Sequence, residues 1–138
     1  MKPRIGIIPG DPGGIGPELI AKLLADPEVR EKADILLIGD RHLFEMGQAQ
    51  AGAEIEMVAC DARKDDWTDI GGLAIHERES IAADDVRLAE VTYANGHSAL
   101  SNLNCALEMA RDGIIDAITF GPFNNCLLYT SPSPRDDT

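Results

Sequence analysis

The sequence predicts an α/β fold, a mostly parallel sheet with helices on both faces. Two observations carry that expectation. Short apolar runs alternate with stretches of helical periodicity, and a run as unbroken as Ile35-Leu36-Leu37-Ile38 suits a strand covered on both sides. A glycine-dense turn, Gly10-Asp11-Pro12-Gly13-Gly14-Ile15-Gly16, also lies directly between the first apolar run and the first helical pattern. Strand, glycine turn and helix in succession bring backbone N–H groups and a helix N-terminus toward an anionic ligand.

Residues 4–8 read as a buried strand. The glycines of the turn are expected to let the main chain take φ > 0 and pass close to a ligand. Pro17 suits the first position of a helix running to about Ala25, since no N–H is needed there, and Glu18 meets the positive end of its dipole. Asp26-Pro27 ends that helix, because proline disfavours helical backbone in its predecessor. Residues 28–32 add a further helical turn, and residues 34–38 form the second strand. Gly39-Asp40 offers an N-cap for a helix through Leu43, Phe44 and Gln48 that closes near Gly52. Residues 55–58 make a third strand.

Over residues 59–72 the pattern breaks into polar and acidic residues, read as a loop carried outside the sheet. Residues 73–75 form a short strand, and residues 77–85 an irregular, solvated face. A long helix spans residues 96–111, with Leu100, Leu103, Leu107 and Ala110 as its apolar stripe and Gly113 as its C-terminal cap. Asn95-Gly96-His97 reads as the cap at its start. Residues 114–120 supply the next strand, which ends at Gly121-Pro122.

At 138 residues the chain is one domain's worth and can bury a core of ordinary size. Its formal charge of −12 argues against nucleic acid, whose phosphates need a basic surface, and against anionic membrane surfaces. No apolar stretch approaches the length of a spanning helix. The N-terminus lacks the apolar core and cleavage site of a signal peptide, so a cytoplasmic location is expected. Cys60, Cys105 and Cys126 are widely spaced and form no C-x-x-C, which reads as reduced, mostly buried thiols. His42, His76 and His97 form no i, i+4 pair and no H-E-x-x-H, and read as surface or internally satisfied histidines.

In open parallel sheets ligands bind beyond the carboxyl ends of the strands. That makes Gly10, Asp11, Gly14 and Gly16, after the first strand, candidate cleft residues, together with Thr119, Gly121 and Asn124 at the end of the last. The glycine spacing is neither G-x-G-x-x-G nor that of a P-loop. Asp11 has two readings, a turn-forming Asp-Pro or a carboxylate that lines the cleft and holds a polar ligand or a water. Glu18 is read as a dipole partner, and Phe120 and Phe123 as core. No residue is assigned a catalytic or metal-binding role.

Residues 10–18 resemble the N-terminal signature of the 4-hydroxythreonine-4-phosphate dehydrogenase family of pyridoxal phosphate biosynthesis, with Gly13 where the family has Ala. Ala117-Ile118-Thr119-Phe120-Gly121-Pro122-Phe123-Asn124 resembles a second family stretch, a short strand ending in Gly-Pro, although Asn125 stands where Lys is usual. The resemblance covers about residues 1–125. It implies the first part of a two-lobed fold like that of isocitrate and isopropylmalate dehydrogenases. It further implies NAD-dependent oxidation of 4-phosphooxy-L-threonine with decarboxylation, a divalent metal (Zn, Mg or Co), a phosphorylated small-molecule substrate and a homodimer. D-threonate or D-erythronate 4-phosphate are the alternative substrates; a phosphometabolite-binding module and a phosphate acyltransferase are the alternatives of another class. The family's Gly-His-Thr stretch, its three metal-binding histidines and its basic phosphate-binding residues lie beyond the resembling segment, and none is carried onto this sequence.

After Asn125 the composition changes to a Ser-Pro repeat with terminal charges, which does not continue the strand–helix pattern. Residues 126–138 are expected to be a non-native tail, a translated adapter read-through, rather than a native disordered one. The chain then divides into residues 1–125, the N-terminal part of the dehydrogenase-like fold, and residues 126–138. The 138-residue chain is itself expected to be inactive and poorly stable, because a parallel sheet cut short exposes an unpaired edge.

Overall fold

In the computed structural model, which describes residues 2–88 and 92–120, five strands form one parallel sheet. They are β1 (Arg4–Ile8), β2 (Asp34–Gly39), β3 (Met57–Ala59), β4 (Leu73–Glu77) and β5 (Ala117–Phe120), in the order β3-β4-β2-β1-β5. The helices among the described residues are α1 (Gly16–Leu24), α2 (Pro27–Lys32), α3 (Arg41–Ala51) and α4 (Tyr93–Arg111), with 3-10 turns at Trp67–Asp69 and Ala83–Asp85.

Successive strand residues point to opposite faces, so the sheet separates two cores. On one face Ile7, Ile35, Leu37, Leu73 and Ile75 pack with Ile20 and Leu24 of α1 and Phe44 of α3. On the other, Ile8, Leu36, Ile38 and Ala74 pack with Ala106 and Met109 of α4, Ile115, Ala62 and Trp67. Each fully buried aliphatic side chain contributes about 1.5–3 kcal/mol relative to exposure, so the two-sided run Leu36-Leu37-Ile38 holds the middle of the sheet. The expected architecture, parallel with helices on both faces, is what the chain adopts.

Several elements differ from the sequence reading, each for a local reason. The third strand lies at Met57–Ala59, not 55–58, because the end of α3 claims the preceding residues. There Gly52 turns left-handed (φ 71°), the Ala53 N–H bonds the Gln48 carbonyl at 2.9 Å, and the Ile55 N–H bonds Gln48 Oε1 at 3.1 Å. The fourth strand lies inside the sheet, paired with both β2 and β3. Residues 59–72 do not lie outside the sheet, since Ala62 and Trp67 are buried against its second face. Residues 77–85 are not wholly solvated either, because Ile81 is buried. The last strand begins at Ala117, and Ile115 instead plugs the space beside Gly6, where an added Cβ would come within 2.7 Å of Ile115 Cδ1.

The long helix departs furthest from expectation. It begins at Tyr93, capped by Thr92, whose Oγ1 accepts the Asn95 N–H at 3.0 Å. Asn95 is therefore inside the helix and does not cap it. The buried side carries Asn95, Ser98, Ala99, Asn102, Ala106 and Met109, whereas Leu107 is 51% exposed. Leu103 and Ala110 of the expected stripe do pack against the second core, but the fully buried line follows the polar partners on the neighbouring loops. Gly113 (φ 79°) does follow the helix end as expected.

Candidate functional site

From β1 the chain runs by α1 and α2 to β2 on one side; from β4 it returns by α4 to β5 on the other. Helices α1 and α4 cover opposite faces. The neighbours β1 and β5 thus flank the point where the winding reverses, the usual place for a ligand crevice at the carboxyl ends of such strands. In register, Ile7 faces Thr119 and Ile8 faces Phe120, so the loop after β1 and the chain leaving β5 start from the same sheet edge.

The glycine loop is built around Asp11. Gly10 alone among its glycines takes positive φ (77°). Gly13, Gly14 and Gly16 do not, contrary to expectation, because the turn is closed by Asp11. Its Oδ1 accepts the Gly13 N–H at 2.8 Å, and its carbonyl accepts the Gly14 N–H at 3.0 Å. Asp11 is buried (6% exposed), and Oδ2 has no hydrogen-bond partner among the described residues. Burial pushes this carboxyl above the ordinary aspartate value, against the opposing pull of the Gly13 N–H. An Oδ2 lying 3.3 Å from where a Gly14 Cβ would sit leaves little room for a side chain there.

Helix α1 opens directly after this loop, with Pro17 in its first turn and no side-chain cap at Ile15. Its first N–H groups are therefore open donors. Glu18 pairs with Lys22 at 3.2 Å as well as facing the dipole. A phosphate placed here would meet the Asp11 carboxylate, so the loop suits a hydroxyl, ammonium or water better than a bare anion.

Thr119 is exposed on β5, at the edge shared with Gly10, Asp11, Gly14 and Gly16. Gly121 and Asn124, along with Phe123 and the tail 126–138, lie outside the described residues. Phe120 is not a core residue among the described residues, being 52% exposed on β5.

A second polar cluster at the same edge went unread in the sequence. Asp40, at the N-cap position of α3, is buried but does not cap the helix. Its carboxylate accepts from the Ser80 N–H at 2.9 Å, the Ser80 hydroxyl at 2.8 Å and the Ile81 N–H at 3.0 Å. Ser80 Oγ lies 2.7 Å from Ser98 Oγ; Arg78 donates to Asn102 Oδ1 at 3.0 Å and to Ser101 Oγ at 2.6 Å. Asp40, His42, Arg78 and Ile81 border a cleft of about 410 Å³. The three-and-four spacing of Asn95, Ser98 and Asn102 was the available signal, a polar stripe at helical period.

His42 Nε2 lies 2.8 Å from the Ile81 carbonyl, and His97 is exposed and stacks on Tyr93. Cys60 and Cys105 are free and half-buried. Among the described residues no group of three or more His, Cys, Asp or Glu side chains could hold a metal ion, and no helix is long and apolar enough to cross a membrane.

No family model matches the chain. It is 42% identical over 136 residues (98% of the chain) to a Pseudomonas aeruginosa protein with the provisional name 4-hydroxythreonine-4-phosphate dehydrogenase 2, covering 40% of that protein. That match runs past residue 125, farther than the motif resemblance reached. Over 123 residues it is 30% identical to a Clostridium botulinum protein provisionally named D-threonate 4-phosphate dehydrogenase, covering 37% of it. The crystal structure of a 4-hydroxythreonine-4-phosphate dehydrogenase from Burkholderia phymatum superposes with a TM-score of 0.82 at 29% identity, covering 94% of this chain and 39% of that one. The chain is thus a homologue of proteins named 4-hydroxythreonine-4-phosphate and D-threonate 4-phosphate dehydrogenase, and spans about 40% of their length.

Proposed function

We propose that this chain forms one wall of the active-site cleft of an NAD-dependent dehydrogenase acting on a phosphorylated four-carbon hydroxy acid, 4-phosphooxy-L-threonine in the first instance. The observation that carries the reading is that the Asp11 loop leaves β1 at the same sheet edge where its paired neighbour β5 ends, at the winding reversal of the sheet. The names of the homologues support the same reaction class. D-threonate 4-phosphate is the second reading of the substrate, favoured by the name of the Clostridium botulinum relative.

In this reading Gly10, Gly14 and Gly16 keep the loop free of side chains and Thr119 stands on β5 at the same sheet edge; Gly121 and Asn124, outside the described residues, are proposed as further cleft residues on sequence alone. Asp11 Oδ2 accepts a hydrogen bond from a hydroxyl or ammonium group of the substrate and so orients the carbon to be oxidised. NAD, when bound, supplies the hydride acceptor. The divalent metal expected for the whole enzyme is not held by the described residues alone, and the substrate phosphate needs basic groups from outside this loop. Loss of CO₂ from the β-keto acid, a role in pyridoxal phosphate formation and a cytoplasmic homodimer complete the proposal. The 138-residue chain, with β5 as a sheet edge among the described residues, is by itself inactive in this account.

The test joins residues 1–125 to the remaining part of the Pseudomonas aeruginosa relative and follows NADH absorbance with a divalent metal. Turnover of 4-phosphooxy-L-threonine supports the first substrate and turnover of D-threonate 4-phosphate the second. A folded chimera that oxidises neither, nor D-erythronate 4-phosphate, contradicts the reading.

A further inference from the structure

The segment between β3 and β4 lies against the second face of the sheet through Ala62 (5% exposed) and Trp67 (5% exposed). Two ties hold its first turn. One is the exposed ion pair of Arg63 with Asp112 at 2.9 Å, beyond the end of α4. The other comes from β4: the Ala62 N–H donates to His76 Nδ1 at 3.2 Å. That bond requires a neutral imidazole carrying its proton on Nε2. Asp61 Oδ1 stands 4.0 Å from the same Nδ1 and is at present engaged by the Arg63 N–H at 3.0 Å. Nδ1 thus has a donor at hand for its neutral form and a carboxylate at hand for its charged form.

We propose that His76 is a proton-operated latch: when it takes up a proton, Nδ1 releases the Ala62 N–H, turns donor toward Asp61, and loosens the turn around Ala62 and, with it, the segment that lays Trp67 against the sheet. A protonated Nδ1–H cannot face an N–H donor, so the two arrangements exclude one another. The charged groups that act on His76 are Asp61, which favours the charged ring, and Arg78 and Arg63, which oppose it. Burial is the largest influence and holds the ring below the ordinary histidine range. The neutral, latched form is accordingly the one present at pH 7, and the latch opens only once pH has fallen below the ordinary histidine range. On β4 His76 lies beside Ile38 of β2, one residue before Gly39 and two before Asp40. The latch therefore sits next to the carboxyl edge, where the ligand crevice is proposed, but does not depend on that proposal.

Trp67 is the chain's single tryptophan and, packed in the same core cluster as Ala62, reports the loosening of the segment. Its emission in the wild-type chain is expected to shift to the red through a one-proton transition with its midpoint below the ordinary histidine range, while far-UV circular dichroism stays constant. His76→Asn, whose side-chain oxygen can accept the Ala62 N–H without titrating, is expected to abolish the transition. A flat wild-type profile, or the same transition in His76→Asn, overturns the proposal. Should that variant not fold, the wild-type Ala62 amide shift decides by NMR. It follows the His76 imidazole titration if the latch exists, and its indifference to that titration overturns it.

Discussion

The buried carboxylate of Asp40, at the end of β2, holds both the N–H and the hydroxyl of Ser80, forty positions further along the chain. Through Ser80 it reaches Ser98 on α4, so one side chain ties the middle strand to the loop after β4 and to the long helix. Replacing Asp40 by Ala leaves the Ser80 and Ile81 N–H groups without their acceptor. The expected loss is about 2–4 kcal/mol, measured by urea denaturation. An unchanged midpoint would show that water takes over the acceptor role.

Gly47 lets α3 and α1 touch, since a Cβ there would collide with the Pro17 carbonyl. Pro17 sits in the first turn of the helix that follows the Asp11 loop. Gly47→Ala is therefore expected to cost about 1–3 kcal/mol and to disturb the loop as well as the packing. Thermal unfolding with amide shifts of residues 10–16 measures both, and a stabilised variant would contradict the contact.

Asp11 gives a pH dependence with a definite sign. Burial raises its carboxyl above the unfolded value, so the folded state binds a proton that the unfolded state has already released. Its contribution to stability is greatest below the ordinary aspartate range and falls as pH rises through the raised value. Asp11→Asn keeps an oxygen for the Gly13 N–H and removes the charge; it should flatten this slope and leave the chain at least as stable at pH 7. A variant less stable than wild type at pH 7 would show that the charge is held by a favourable partner.

The division proposed at residue 125 predicts that deleting residues 126–138 changes stability by less than about 0.5 kcal/mol. Denaturant unfolding of the two lengths side by side measures this. A larger loss would make those residues part of the fold, in keeping with a sequence match that runs past residue 125.

Much of the sheet was legible because its strands are apolar on both faces: residues 4–8 and 34–38 read directly as β1 and β2, and Pro17, Asp26-Pro27 and Gly113 mark helix ends by backbone chemistry alone. The faces of α4 were not, because its inward residues include Asn95, Ser98 and Asn102, matched by the carbonyl of Arg87 just before the helix and by Ser80 and Arg78 on the loop after β4. Leucine spacing cannot anticipate partners that only the tertiary fold supplies. Asp40 was placed at the right position and given the wrong bond for the same reason. At the candidate site, the loop around Asp11 was recognisable from its glycines, but a side chain that closes the turn on itself replaced the left-handed backbone expected at three of them.

The central claim is that the Asp11 loop lines a catalytic cleft, and kcat/KM of the chimeric enzyme with Asp11→Asn, on whichever hydroxy-acid phosphate it oxidises, tests it most directly. The account predicts a loss of at least about tenfold, roughly 1.4 kcal/mol of transition-state stabilisation, in a protein no less stable than its parent. Undiminished kcat/KM in the folded variant would reduce Asp11 to a turn residue and contradict the placement of the cleft.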